Sequence, residues 1–216
     1  MVIKQRAVHV QDKKERHDAI LDATARLLTR APERVASVAE VAEEAGLAKG
    51  TVYLYFRGKE ALLMALHERN VGAFFEALIA RLDAAAPLTV ADVLDIVRRH
   101  MIEPPLFLLL ATRCFGATQQ GIDPSSLLAF RQRMTGRLQQ AGAGLERRFS
   151  GLAAGGGVAL LRHSYALVLG LWQMSPSSKE LAKRNGIDAA TPPPMHDDLD
   201  RALAALWRGT LASTPA

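Results

Sequence analysis

Between Gly46 and Lys59 the chain carries Lys49, Thr51, Tyr53, Tyr55, Arg57 and Lys59, with no acidic residue among them. Ammonium, guanidinium and hydroxyl groups on one short segment donate to phosphate oxygens, and an aromatic ring can meet a thymine methyl. The chemistry suggested is contact with double-stranded DNA. No Arg, Asn or Gln occupies the centre of the segment to make bidentate base contacts, so specificity is expected from apolar contacts, the segment ends and DNA shape.

Catalytic chemistry finds less support. Cys114 could act as a nucleophile with His100 or His163 as base, but it lies in an apolar run where a structural thiol is the ordinary outcome. The histidines at 9, 17, 67, 100, 163 and 196 do not share metal-ligand spacing on one helix, and a single cysteine rules out an internal disulfide or a cysteine-based zinc cluster. Asp197 and Asp198 stand at a helix start, where capping accounts for them. No enzyme activity, metal or cofactor is expected.

The elements that position the basic segment are legible around it. Residues 38–45 carry Val38, Val41, Ala42 and Ala45 at helical spacing, and Ser37 with Glu40 forms a capping box at their start. Gly46 follows, as a residue that tolerates a left-handed backbone after a helix. A second short helix over 49–56 has Val52, Leu54 and Phe56 as its apolar positions. Helix, tight turn and helix make a helix-turn-helix, whose second helix enters the major groove. Tyr53 and Tyr55 lie about 200° apart on that helix, so one packs on the scaffold while the other faces outward.

The stretch GLAKGTVYLYFRGKEALL resembles the signature of the TetR (tetracycline-repressor-like) family of bacterial transcriptional regulators. Ala45, Gly46, Gly50, Thr51, Tyr53, Tyr55, Phe56, Lys59, Glu60 and Leu62 carry the likeness, which spans the first third of the chain. It departs at Ala36, before the first cap, and at Ala48, where the family often places a Ser or Thr cap. Loss of that cap leaves the amides at Lys49 and Gly50 free to meet a phosphate oxygen. By analogy with the family, the DNA contacts fall on Lys49, Gly50, Thr51, Tyr53, Tyr55 and Lys59, with Tyr55 the stronger expectation for the backbone. The resemblance also implies a homodimer on a palindromic operator, with the last two helices pairing with their symmetry mates, and release by a small molecule.

The rest of the chain reads as all-α. Its 216 residues, 49% hydrophobic and only 6% aromatic, are Ala- and Leu-rich, and a net charge of +5 permits a polyanionic partner. Residues 1–11 read as a flexible basic arm. A first helix over 12–30 opens on Asp12 with Glu15 as capping partner, and its stripe is Ile20, Ala23, Leu27 and Leu28. The head is thus 12–58, and a helical ligand-binding and dimerisation domain occupies 59–216. A connecting helix over 59–83 belongs to both parts and should transmit coupling between them.

Further helices are expected over 90–101, over 106–115 (apolar enough to be buried on all sides) and over 125–149, where Gly142 and Gly144 invite an end or a kink. A loop fills 116–124, a Gly-rich break stands at 155–157, and a polar connector covers 175–196. Helices over about 158–174 and 196–212 supply the expected dimer interface, through Ala166, Gly170, Leu199, Leu203, Leu206 and Trp207. Ordinary core packing is the alternative use of those residues. A small-molecule pocket between helices is expected among Met101, Phe107, Cys114, Phe115, Met134, His163 and Trp172, each of which could equally be core. With no apolar run long enough to cross a bilayer and no signal-peptide core at the amino terminus, a soluble cytoplasmic protein is expected. An architectural DNA binder without an effector is the competing reading.

Overall fold

The computed structural model of the chain describes residues 2–115, 122–174 and 195–212. Within them every element is helical: α1 (Val2–Arg30), α2 (Val38–Glu44), α3 (Lys49–Tyr55), α4 (Lys59–Asp83), α5 (Val90–Val97), a π-helical turn (Arg98–Ile102), α6 (Phe107–Phe115), α7 (Pro124–Arg148), α8 (Gly156–Met174) and α9 (Met195–Ala212). The expected loop after Phe115, as far as residue 121, and the connector at 175–194 lie outside the described residues.

Two compact units divide the chain: Met1–Asn70 with Pro105–Leu128, and Val71–Pro104 with Ala129–Ala216. The division falls inside α4, after Asn70, and the segment carrying α6 groups with the head.

In the first unit, Ile20, Leu21, Ala23 and Leu28 of α1 meet Val38, Val41 and Ala42 of α2, Val52 of α3, Leu62, Leu63 and Leu66 of α4, and Leu110 of α6. α1 begins at Val2 and not at Asp12, because no Gly or Pro interrupts residues 2–30 and the helix runs through the anticipated cap. Residues 2–11 are thus helical where an irregular arm was expected. α2 starts on the anticipated box: Ser37 N–H donates to Glu40 Oε2 at 2.8 Å and Glu40 N–H to Ser37 Oγ at 3.3 Å. It ends on Gly46 at φ 66°, where Leu47 N–H donates to the Ala42 carbonyl and Gly46 N–H to that of Glu43. That paired closure is a Schellman motif, which favours glycine at its left-handed position.

α6 is not buried on all sides. Phe107, Leu108, Leu110 and Ala111 face the interior, whereas Thr112, Arg113 and Cys114 are half-exposed and Arg113 donates to the Pro32 carbonyl. Phe107 stacks edge-on against His67 of α4, with ring centroids 5.7 Å apart. Burial pushes the His67 imidazole down to about 4.

In the second unit, α5 is capped by a box of Thr89 and Asp92. It stops at Val97, where the expected helix over 90–101 relaxes into the π-helical turn. Asp123 caps α7, accepting from Ser125 Oγ and Ser126 N–H, and Pro124 takes the first helical position. α7 then runs without a break through both glycines, which serve close packing instead. Gly142 lies against Val158 and Gly157 of α8, and Gly144 against Leu82 of α4. Glu146 accepts the Gly157 N–H at 3.0 Å, and Arg148 donates to the carbonyls of Leu82, Ala84 and Ala86. α9 packs on α8 and α5. There Trp207 Nε1 donates to Ser164 Oγ at 2.9 Å, and that hydroxyl donates to the Leu160 carbonyl.

A methyl group at Gly157 would fall on the Gly142 backbone, whereas one at Gly170 would enter open space. Gly157→Ala should therefore cost about 2–3 kcal/mol in urea unfolding, while Gly170→Ala should be neutral or slightly stabilising. His67 is neutral in the fold and protonates below about 6.5 once unfolded. Its contribution is complete above that value and is lost as the pH falls towards about 4. Urea midpoints measured across this window should fall less steeply in His67→Leu than in the parent.

Candidate nucleic-acid interface

α3 has seven residues, too few for a helix to persist alone, and it is held by one face. Val52 is fully buried and Phe56, its C-cap, nearly so; both sit in the first unit's core. Two turns of helix then leave Lys49, Gly50, Tyr53 and Leu54 on the solvent side, with Thr51 half-buried. Leu54 is 85% exposed and Tyr53 46% exposed, and Lys49 Nζ stands 5.9 Å from the Tyr53 ring centre. Of the helix's three apolar positions, Leu54 alone stays out of the core. At 100° per residue, position 54 lies opposite the face shared by 52 and 56, and that spacing was the signal to use.

The two tyrosines stand on different sides of the helix. Tyr55 is half-buried against the core, its ring 6.5 Å from that of His17, and it is Tyr53 that faces outward. Lys13, Lys14, His17 and Tyr55 line a shallow depression beside it, which adds two cations of α1 outside the expected contact set. Lys59 is exposed at the start of α4, with Glu60 no nearer than 4.0 Å.

Two of the three glutamates of α2 are held by arginines. Glu44 holds Arg26 at 2.6 Å and Arg30 at 2.8 Å, and Glu40 holds Arg34 at 2.8 Å as well as the Ser37 amide. Hydrogen bonds from Arg30 and Arg26 hold the Glu44 carboxyl below its ordinary range, and those from Ser37 and Arg34 do the same for Glu40. Among the described residues Lys49 and Arg57 make no ion pair. α3 has no side-chain cap at Ala48, as anticipated.

The remaining candidates scatter. Phe107 and Cys114 belong to the first unit; Met101, Met134, His163 and Trp172 belong to the second. Met101 and Phe107 are buried core, Cys114, Met134 and Trp172 are half-buried, and His163 is exposed. The Phe115 side chain lies outside the described residues. Burial pushes the Cys114 thiol up to about 12, which leaves almost no thiolate at neutral pH. Of the expected dimer residues, Leu199, Leu203 and Trp207 are buried within the second unit. An amphipathic stripe cannot say which surface covers it, and here α8 and α5 do. Ala166, Gly170 and Leu206 stay at least partly exposed. Among the described residues no three His, Cys, Asp or Glu side chains cluster as for a metal, and no helix is long and apolar enough to cross a membrane.

Known proteins match along both parts. Residues 20–66 fit the model of bacterial regulatory proteins of the tetR family, and residues 68–214 that of the tetracyclin repressor-like C-terminal domain. The fatty acid metabolism regulator protein of Bacillus subtilis is 33% identical over 67 residues, 31% of this chain and 34% of its own length. An uncharacterised HTH-type regulator of Haemophilus influenzae is 35% identical over 77 residues, covering 36% of this chain and 41% of its own. The matched stretches thus span well under half of these relatives.

Among solved structures, a transcriptional regulator of Pseudomonas aeruginosa superposes with a TM-score of 0.59 at 21% identity, covering 93% of this chain and 92% of its own. The fatty acid degradation regulator FadR of Bacillus halodurans gives 0.54 at 20% identity, covering 92% and 95%. These likenesses speak for the fold.

Ala48→Ser should supply the missing cap and raise thermal stability by about 1 kcal/mol, read as a higher melting temperature. The head's helix-turn-helix, its cation-rich outward face and the two family matches that together run from residue 20 to 214 agree: the chain belongs to the TetR family of transcriptional regulators.

Proposed function

We propose that the protein is a homodimeric repressor that reads a palindromic operator through α3 and leaves it when a small molecule binds the second unit. The observation that carries the reading is the outward face of α3, where Lys49, Tyr53 and Leu54 are exposed while Glu40 and Glu44 of α2 are held by arginines.

On this reading Lys49, Lys59 and the hydroxyls of Thr51 and Tyr53 take backbone phosphates, Gly50 lets the helix approach closely, and Leu54 meets thymine methyl groups. Tyr55, packed beside Lys13 and Lys14, extends the phosphate contact to α1. One helix this short binds weakly, so two heads are needed, on half-sites one or more helical turns apart. The outward faces of α8 and α9, with Ala166, Gly170 and Leu206, are the surface left for the partner. A protein acting on DNA in this way works in the cytoplasm. The Bacillus subtilis relative matches over a third of its length, so its link to fatty acid metabolism supports a metabolic effector here without naming one.

The test is binding to fluorescent DNA from the gene's own upstream region at two salt concentrations. Tight saturable binding by two protomers, far stronger than to scrambled DNA, is expected. Leu54→Ala should weaken it ~10-fold, the scale of one lost base contact, and Lys59→Ala should lower the salt slope by about one. Equal, salt-sensitive binding to both DNAs would favour the architectural reading, and unchanged affinity in Tyr53→Ala, Leu54→Ala and Lys59→Ala would remove α3 from the interface.

A further inference from the structure

Among the described residues four large apolar or aromatic side chains stand exposed, and two of them, Tyr53 and Leu54, are neighbours on the seven residues of α3. Leu54 is the most exposed of the four, at 85%. A leucine in solvent is by itself ordinary. What surrounds this one gives it a use. Gly50 lies four residues before it, on the same side of the helix, and a Cβ built there would meet nothing within 4 Å. Arg57, three residues after it, is exposed but lies past the C-cap at Phe56. Gly50 and Leu54 therefore make a low strip of bare backbone and apolar side chain.

In a major groove, the side chains that tell bases apart by hydrogen bonding are chiefly arginine, lysine, the amides and the carboxylates. From Gly46 to Lys59 there is no Asn, Gln, Asp or Glu, and the one arginine stands beyond the helix. Lys49 Nζ is drawn to the Tyr53 ring, 5.9 Å from its centre, on the helix's first turn. Leu54 neither donates nor accepts a hydrogen bond. The apolar feature that the groove offers it is the C5-methyl group of a pyrimidine, which thymine carries and cytosine lacks. Covering that methyl with a leucine removes apolar surface of both partners from water. 5-Methylcytosine presents the same methyl at the same place in the groove.

We propose that Leu54, beside the bare backbone at Gly50, recognises the C5-methyl group of a major-groove pyrimidine whichever base carries it. The operator is then read through its thymine methyls, and 5-methylcytosine is accepted in place of thymine. A site with cytosine at that position gains occupancy when the cytosine is methylated. The proposal rests on the DNA-reading function proposed above and names the chemical group that α3 distinguishes.

The experiment amplifies the gene's own upstream region with either thymidine or deoxyuridine triphosphate, so that the second fragment lacks the thymine methyls and keeps its base pairs. The full-length parent, Leu54→Ala and Lys59→Ala are titrated on both. The parent should bind the uracil fragment about 10-fold more weakly, from about 3- to 4-fold for one methyl in each of two half-sites. Leu54→Ala should bind both fragments alike, because the methyl and the leucine belong to one interaction and their losses do not add. Lys59→Ala, which removes a phosphate contact, should weaken both fragments by the same factor. Leu54→Ala should keep the parent's melting temperature, since the leucine lies outside the core. In a synthetic duplex of the footprinted site, the most methyl-sensitive T·A pair is then replaced by C·G and by 5-methylcytosine·G. The methylated duplex should regain most of the affinity that the C·G duplex loses.

Equal affinity of the parent for thymine and uracil DNA would overturn the proposal. So would a uracil penalty undiminished in Leu54→Ala, since the methyl would then act through DNA shape or another side chain. A methylated duplex bound no tighter than the C·G duplex would mean that the base is read and not its methyl, and would overturn it as well. Absence of sequence-preferring binding, both to the thymine fragment and to duplexes selected from a random library, would instead remove the DNA-reading function itself.

Discussion

The seating of Val52 and Phe56 in the first unit's core is the contact on which the head depends. A helix as short as α3 gains little from its own hydrogen bonds. Its orientation is set by those two side chains and by the glycine-closed turn that delivers it from α2. Once they are fixed, the opposite face can carry residues that serve no folding purpose, including a leucine left in solvent. An exposed leucine costs the fold some hydrophobic stabilisation that it could have gained by burial. It becomes intelligible as part of a surface that meets another molecule.

Charge around that surface is arranged by the scaffold more than by α3 itself. α2 brings three glutamates into the neighbourhood of the basic helix, which would blunt its attraction for phosphate. Two of them are taken up by arginines from α1 and the loop after it, in pairs that also tie the helices together. These pairs are solvent-exposed and contribute modestly to stability. Their larger effect is on the potential that an approaching polyanion would meet.

The second unit is organised by close approach. Gly142 and Gly157 bring α7 and α8 to backbone contact, Gly144 admits Leu82, and the Trp207–Ser164–Leu160 chain of hydrogen bonds ties α9 to α8. Arg137 over Gly72 uses the same device to a different end, since there the space left by a missing side chain is filled by a charge. Cores packed to this density respond to a new occupant by shifting elements, not by local give.

Much of this was legible in the chain alone. The signature around Gly50–Thr51, the Ser37 capping box, Gly46 at its left-handed turn and the span of α4 follow from local rules, because caps, turns and helical period act over a few residues. The regulator family follows from the same window. Position 54 was also within reach of helical periodicity, which sets it opposite 52 and 56.

Other features were decided only when the helices came together. An apolar stripe on α9 is compatible with a partner chain or with α8 and α5, and only packing shows that Leu199, Leu203 and Trp207 are spent inside the unit. Gly142 and Gly144 read as weak points until the neighbouring backbone is seen to need them. Among several arginines on α7, nothing in the order of residues marks Arg137. Its seat over Gly72 is a property of what surrounds the side chain, and those surroundings come from residues far away in the sequence.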